Sequence, residues 1–411
     1  MSSEGSTARS RTFRLGLNYW PARTAMGWWQ SFEGAEVRDD FARISAAGFD
    51  SVRLFLTWEH FQPRPDQVDS QALARLVSTL DLAHEAGLVV MPTLFTGHMS
   101  GVNWIPGWAL GGGARDERFR VVSEGRVRSA GLRNWYADPE IARAQAKLAT
   151  VVAHSLAEHP ALWAWDLGNE NSNCVIPPTK AHAQDWLRRM SDAIRENDPG
   201  ARITLGIHME DLEQDRNLGP TEAAEVCDFL TMHGYPGYAA WARGPTDEDL
   251  LPFLAQLTAW LGDGAEVVFS EFGLPTLRSG DAESQRVRAA CSTALVEEQV
   301  ASDYVERALA ALYQCGCSGA MLWCHADYVP ATWQTPPLDC AVHERFFGQW
   351  RADGSPKPAL AKVEAFAKRR PLPPAPRAAS TWLDIDPEAF YANGVSDLPR
   401  LYQRYLEAMG S

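Results

Sequence analysis

No segment of this chain approaches the roughly 18 consecutive apolar residues of a membrane span, and no apolar stretch near its start is long enough for a secretory leader. Positive charge is scarce as well: 38 Lys and Arg stand against 52 Asp and Glu, a formal net charge of −14. Lys368-Arg369-Arg370 is too short a basic cluster to hold a phosphate backbone against that excess. Neither nucleic acid nor a membrane is expected as a partner. The seven cysteines are an odd number, and Cys227, Cys315, Cys317 and Cys324 lie inside apolar runs, where reduced thiols are common. A disulfide framework is not expected, and the chain reads as cytoplasmic.

Several catalytic signatures are missing too. Gly111-Gly112-Gly113 follows no strand of the kind a dinucleotide fingerprint needs and reads as loop. No nucleophile elbow supports Ser-His-Asp catalysis. The first strand run ends Asn18-Tyr19-Trp20, without the His-x-His of metal-dependent barrel hydrolases, and Cys315-Gly316-Cys317 lacks the two-residue gap of a metal-binding pair. No metal and no cofactor are expected.

What the chain does have is a large apolar fraction, 45% of 411 residues, enough for a sizeable core. Eight short apolar runs alternate with amphipathic stretches: Phe13–Trp20, Ser51–Trp58, Leu88–Phe95, Leu162–Gly168, Ile203–His208, Phe229–Tyr235, Val267–Phe272 and Gly319–Trp323. Most are bounded by Gly or Pro, as strands buried on both faces of a parallel sheet are. Helix signals fall between them. Asp69 caps a stretch with Leu73, Leu76, Val77 and Leu80 on one face, ending at Gly87; Asp138-Pro139 opens another that runs to His159-Pro160; Trp186, Met190 and Ile194 mark a third. Eight such repeats predict a (β/α)8 TIM barrel over residues 13–370, with long βα loops. Residues 1–12, Ser-rich and polar, are expected to be disordered. Residues 371–411 form a Pro-rich link and a tail whose Trp382, Phe390, Tyr391, Tyr402 and Tyr405 are expected to pack on the barrel. About forty residues between the third strand and Pro139, carrying His98, Trp104, Trp108 and Trp135, are too long for a plain connection and are expected to wall the site.

In such a barrel the site gathers at the C-terminal ends of the strands. Strand four ends Gly168-Asn169-Glu170 and strand seven ends Ser270-Glu271-Phe272, so one Glu stands at each of two facing positions. Either alone can be read as a helix cap. Two carboxylates flanking a cleft are the equipment of glycoside hydrolysis, one protonating the leaving oxygen and the other attacking the sugar or activating water.

With their neighbours, these residues make the chain resemble family 5 of the glycoside hydrolases over Phe13 to Ala367. Members carry an Arg ending strand two, a His on strand three, Asn-Glu on strand four, His-x-Tyr on strand six, Glu on strand seven and Trp on strand eight. Arg53, His98, Asn169-Glu170, His233-Gly234-Tyr235, Glu271 and Trp323 match in order. The resemblance implies Glu170 as general acid/base and Glu271 as nucleophile of a double displacement. Arg53 and Tyr235 would keep Glu271 ionised, while a less polar setting and the charge of Glu271 would keep Glu170 protonated. Asn169 suits a substrate 2-hydroxyl, Trp323 a sugar face, and His98 and His233 the shape of the site.

Further substrate contacts are expected from Trp58, Glu59, Trp104 and His325. Trp20, Trp28, Trp29 and Trp108 are additional stacking candidates, and His343-Glu344-Arg345 is a weaker candidate for sugar contacts that reads more readily as a loop ion pair. The reading is a retaining β-glycosidase for β-linked oligosaccharides or small glycosides of β-mannoside or β-glucoside type, in a short, partly closed cleft. An endo-acting β-mannanase or β-glucanase is the alternative. A metal-dependent barrel hydrolase and a non-catalytic sugar-binding barrel are more distant ones.

Overall fold

The segment Arg14–Asn18 is buried because strands flank it on both sides, Gly319–Leu322 on one and Ser51–Thr57 on the other, all parallel. That pattern repeats around the computed structural model, which describes residues 12–112, 117–278, 280, 285, 287–289, 291–370, 381–391 and 397–410. The strands are β1 (Arg14–Asn18), β2 (Ser51–Thr57), β3 (Val89–Thr96), β4 (Trp165–Asn169), β5 (Ile203–Gly206), β6 (Leu230–His233), β7 (Val267–Phe272) and β8 (Gly319–Leu322). They pair in the order β5-β4-β3-β2-β1-β8-β7-β6. The two ends meet where the His233 N–H donates to the Ile207 carbonyl at 2.9 Å and His208 bridges to His233. The result is the expected (β/α)8 barrel, and each strand lies within a few residues of its apolar run.

A barrel helix follows each strand, with short extra turns at Trp58–Phe61 and Glu210–Glu213: α1 (Gly34–Ala46), α2 (Ser70–Glu85), α3 (Pro139–Leu156), α4 (Lys180–Arg195), α5 (Pro220–Ala224), α6 (Leu250–Leu261), α7 (Glu298–Gln314) and α8 (Pro358–Arg369). Their starts are chemical. Asp69 accepts from the Ala72 N–H, and Asp138, just before Pro139, accepts from the N–H groups of Glu140 and Ile141, satisfying donors that the first turn leaves unpaired. The buried faces are apolar: Trp186, Met190 and Ile194 on α4 point inward as their spacing predicts.

The long β3–α3 connection is structured. Its segments His98–Met99, Val102–Trp104, Arg120–Ser123 and Arg126–Arg128 form a small sheet of their own. Trp108 and Trp135 anchor its base by packing edge-on against Trp58 at 5.2 and 5.8 Å.

The tail helix α9 (Leu398–Met409) docks on α6, where Trp382, Tyr402 and Tyr405 surround Phe253 and the Tyr402 hydroxyl donates to Asp247 at 2.7 Å. Its aromatics thus escape water on the flank of the barrel. The expected disordered start, up to Arg11, and the link Pro371–Pro376 lie outside the described residues. All seven cysteines are free, and among the described residues no helix is long and apolar enough to cross a membrane.

Candidate active site

Strand register aims the key side chains. The ladders slip between Asp166 and Asn169, between Met232 and His233, and between Phe269 and Phe272, each at a C-terminal strand end. Such slips re-aim side chains, and Asn169, His233 and Glu271 sit beside them.

Beneath the site lies Arg53, fully buried on β2. Its Nε and Nη2 donate to Asp166 Oδ2 at 2.9 and 2.6 Å, Nη2 also to Asn169 Oδ1 at 2.9 Å, and Nη1 to Glu271 Oε1 at 2.5 Å. Burial alone would weaken its charge, but the two carboxylates outweigh it and raise the guanidinium above its ordinary pKa. Space for this fork exists because position 206 is glycine: a Cβ there would come within 2.9 Å of Arg53 Nη2 and 2.6 Å of the Gly168 carbonyl. The second Glu271 oxygen accepts from the Tyr235 hydroxyl at 2.8 Å. Burial and the charge of Glu271 hold Tyr235 well above its usual pKa, so it remains a donor.

Glu170 ends β4 in a left-handed backbone conformation, φ 48°, which turns its side chain over the barrel mouth. Its Oε1 lies 2.9 Å from His233 Nδ1, and its Oε2 accepts from Asn173 Nδ2 at 3.1 Å. His98 Nε2 and His208 Nδ1 are each 3.8 Å from Oε2. Burial pushes the Glu170 carboxyl up, but the charged forms of His208, His233 and His98 outweigh burial and hold it below the usual carboxylate range. The setting differs from the less polar one expected, since three imidazoles rather than an apolar wall surround it. The carboxylate and the three rings thus lie in one contact cluster, with His233 Nδ1 within hydrogen-bond reach of Oε1. Burial in turn lowers His98, whose Nδ1 lies 2.7 Å from Asn103 Oδ1.

One atom each of Glu170, His233 and Glu271 lies within 4.8 Å of the others. This is the set among the described residues that geometry would allow a cation to join. Its lone pairs already serve Arg53, Tyr235, Asn173 and His233.

Above these groups opens a cavity of about 690 Å³, within the range that holds small ligands. The β3 insert, the ends of β4 to β8 and the loop after β8 line it, and nothing from β1, β2 or the loops after them does. On that side the insert meets the β8 loop directly. Ser100 Oγ donates to Glu344 Oε2 at 3.0 Å, and Arg120 grips Asp339 through two bonds of 2.8 and 2.6 Å. On the other flank Arg118 pairs with Glu210.

Of the residues singled out in the sequence, the structure gathers Glu170, Glu271, Asn169, His98, His233, Tyr235 and Trp323 around the cavity, with Arg53 beneath it. It does not bring Trp58, Glu59, Trp104 or His325 there. Trp58 is buried in the aromatic base of the insert and bonds Gln62. Glu59 accepts from the Glu124 N–H, and Trp104 is buried within the insert sheet. His325 packs between Tyr19 and Trp350. Trp20, Trp28, Trp29 and Trp108 are likewise packing groups, absent from the cavity lining. Nor is His343-Glu344-Arg345 an ion pair with Arg345: that arginine bonds the Leu338 carbonyl, while Glu344 bonds Ser100 and Trp323 at the cavity wall. Residues the sequence did not single out complete the lining, among them His208, Asn173, Phe119 and Tyr238. His208 ends the fifth apolar run and was visible there; the others lie in loops with no periodic signal.

The model of Cellulase (glycosyl hydrolase family 5) matches residues 16–306. No curated protein sequence matches the chain. Among solved structures, the exo-beta-1,4-mannosidase Op5Man5 from Opitutaceae bacterium strain TAV5 is similar at 29% identity and TM-score 0.69; the match covers 87% of this chain and 60% of that one. GH5_18 from Streptomyces cattleya in complex with GlcNAc is similar at 25% identity and TM-score 0.75, covering 98% and 92%. GH5_18 from Bifidobacterium longum subsp. longum ATCC 55813, at 19% identity, TM-score 0.76 and coverage of 97% and 90%, shares the fold.

Proposed function

The chain belongs to glycosyl hydrolase family 5 and is a glycoside hydrolase, and we propose that it is an exo-acting, retaining β-mannosidase of short oligosaccharides. In this reading Glu271 attacks the anomeric carbon of a sugar stacked on Trp323, while Glu170 gives a proton to the departing oxygen; water, deprotonated by Glu170, then releases the sugar from Glu271. The spacing of the two carboxylates, with atoms within 4.8 Å, favours direct attack, since inverting enzymes hold theirs about 6.5–9.5 Å apart to admit water. Arg53 and Tyr235 hold Glu271 by one hydrogen bond to each oxygen and so aim it. Asn169, fixed by Arg53 and by its bond to the His98 carbonyl at 2.9 Å, is placed for the 2-hydroxyl.

The observation that carries exo action is the closed rim. A groove for a polymer needs two open ends, and here the insert and the β8 loop are joined across the β1–β2 side by Ser100–Glu344 and Arg120–Asp339. The mannoside assignment draws support from the similarity to Op5Man5, although this chain spans only 60% of that structure. The GlcNAc bound to the Streptomyces cattleya enzyme supports a second sugar as leaving group.

The test is product analysis on mannohexaose, cellohexaose and a β-1,4-mannoside of GlcNAc, with the product anomer followed by NMR. Mannose released singly from the non-reducing end, first as the β-anomer, supports the proposal. Internal cleavage of a hexasaccharide overturns exo action, and an initial α-anomer overturns retention.

A further inference from the structure

Glu344 is a buried carboxyl that no step of the proposed mechanism uses. It lies on a short helical turn in the loop after β8, is 7% exposed, and faces the cavity. Its hydrogen bonds are one-sided. Oε2 accepts from Ser100 Oγ at 3.0 Å and from the Trp323 indole N–H at 3.3 Å, while among the described residues Oε1 has His343 Nε2 near it, at 3.5 Å. Neither partner is a lysine or arginine, so the carboxyl is buried without a permanent countercharge, an arrangement that costs stability unless something else satisfies it. Burial, opposed by those two bonds and reinforced by the charges of Glu271 and Glu170, pushes the group up to about 7.

Its position is informative. The indole it bonds lines the cavity, and the serine it bonds belongs to the wall that shuts the β1–β2 side of the rim. Glu344 therefore stands where that indole meets that wall, at the edge of the cavity. With Oε2 occupied by protein donors, Oε1 is left as an acceptor beside the cavity.

We propose that Glu344 is a specificity-determining residue that hydrogen-bonds a ring hydroxyl of the terminal sugar, so that the pocket accepts a chain end bearing that hydroxyl free. This rests on the exo-glycosidase reading. A carboxylate sharing a desolvated site with a sugar hydroxyl discriminates sharply against an analogue lacking it, because deletion leaves the carboxylate unpaired. Substitution at that hydroxyl, as in an internal residue of a chain, would place a glycosidic bond against the Ser100–Glu344 contact.

The experiment compares kcat/KM for 4-nitrophenyl β-mannoside with its 3-deoxy, 4-deoxy and 6-deoxy analogues, in the wild type, Glu344→Ala, Glu344→Gln and Ser100→Ala. The wild type is expected to lose roughly 10²-fold on one of the three analogues. In Glu344→Ala that ratio should collapse to within about threefold, because the parent slows and the analogue does not. Glu344→Gln keeps an oxygen for Ser100 and Trp323, so it guards against loss of fold and should keep part of the ratio. Ser100→Ala removes the brace and should leave the ratio in place. If Glu344→Ala slows the parent and all three analogues equally, or the wild type shows no preference among them, Glu344 is only a brace and the proposal falls. If the wild type does not turn over the mannoside at all, the sugar assignment fails instead, and the deoxy series of whichever aryl glycoside it does cleave decides Glu344.

Discussion

Asp166 holds two N–H groups of Arg53, at 2.9 and 2.6 Å, and so leaves Nη1 free to meet Glu271. Asp166 is itself held by the Thr93 hydroxyl at 2.8 Å and the Gly206 N–H at 2.9 Å. A carboxylate on β4 thus orients the cation that serves a carboxylate on β7. Replacing Asp166 by Ala leaves a buried guanidinium with one anionic partner, and breaking a buried pair in this way costs about 3–5 kcal/mol. Denaturant unfolding of Asp166→Ala should show a loss of that size, with kcat reduced as well; a loss under ~1 kcal/mol would show the network to be dispensable.

Glu271→Ala should abolish turnover of every substrate. Glu170→Ala should retain first-step activity on a dinitrophenyl β-glycoside, whose leaving group needs no proton, and azide should speed its second step. General acid help is worth roughly 10²–10⁴-fold, which is the loss expected on a substrate with a poor leaving group. Exchanged behaviour of the two variants would reverse the roles proposed for them.

Arg120→Ala should open the rim at little expense in stability, about 0–1 kcal/mol, because the pair with Asp339 is partly exposed. Product analysis on mannohexaose should then show cleavage inside the chain that the wild type does not give. An unchanged product pattern would mean that the wall stands without this pair.

Stability should depend on Glu344 near neutral pH. A folded carboxyl that titrates at about 7 rather than 4.5 retains a proton that the unfolded chain has already lost. Its contribution is therefore most favourable at low pH and declines as pH rises from 4.5 through about 7. Asp327, lifted by burial to about 6 against the pull of Lys357, acts in the same direction. Glu170, held low, contributes in full above the ordinary carboxylate range and loses its contribution only in more acidic solution. Melting curves from pH 5 to 8 should show Glu344→Gln flattening the decline by up to about 1.4 kcal/mol per pH unit. Parallel curves for wild type and variant would rule this out.

The barrel was legible because β/α alternation writes itself into the sequence as apolar runs, caps and glycine stops, as at Asp69, Asp138 and Gly87. The residues now seen around Glu170 and Glu271 were legible for a related reason: strand ends have a known destination. Loop contacts have no such rule. Trp58 follows β2 much as Glu170 follows β4, yet it turns into the base of the insert, because Trp108 and Trp135 arrive from about fifty to eighty residues later to cover it. Glu344 was only a weaker candidate for the opposite reason, since its partners Ser100 and Trp323 are distant in sequence and neighbours only once the rim closes. The depressed Glu170 was missed because His208 and His98 reach it from separate strands.

The burial of so many indoles gives the protein a built-in optical reporter. Of 16 tryptophans, Trp323 is the one that lines the cavity. The other fifteen lie away from the cavity lining, so their emission should report chiefly on whether the chain is folded. In the proposed binding mode, Trp323 is the indole that meets the sugar ring. Occupancy of the site is therefore readable in the unlabelled protein as a small spectral change on a constant background, and Trp323→Phe should erase that change while keeping the unfolding signal.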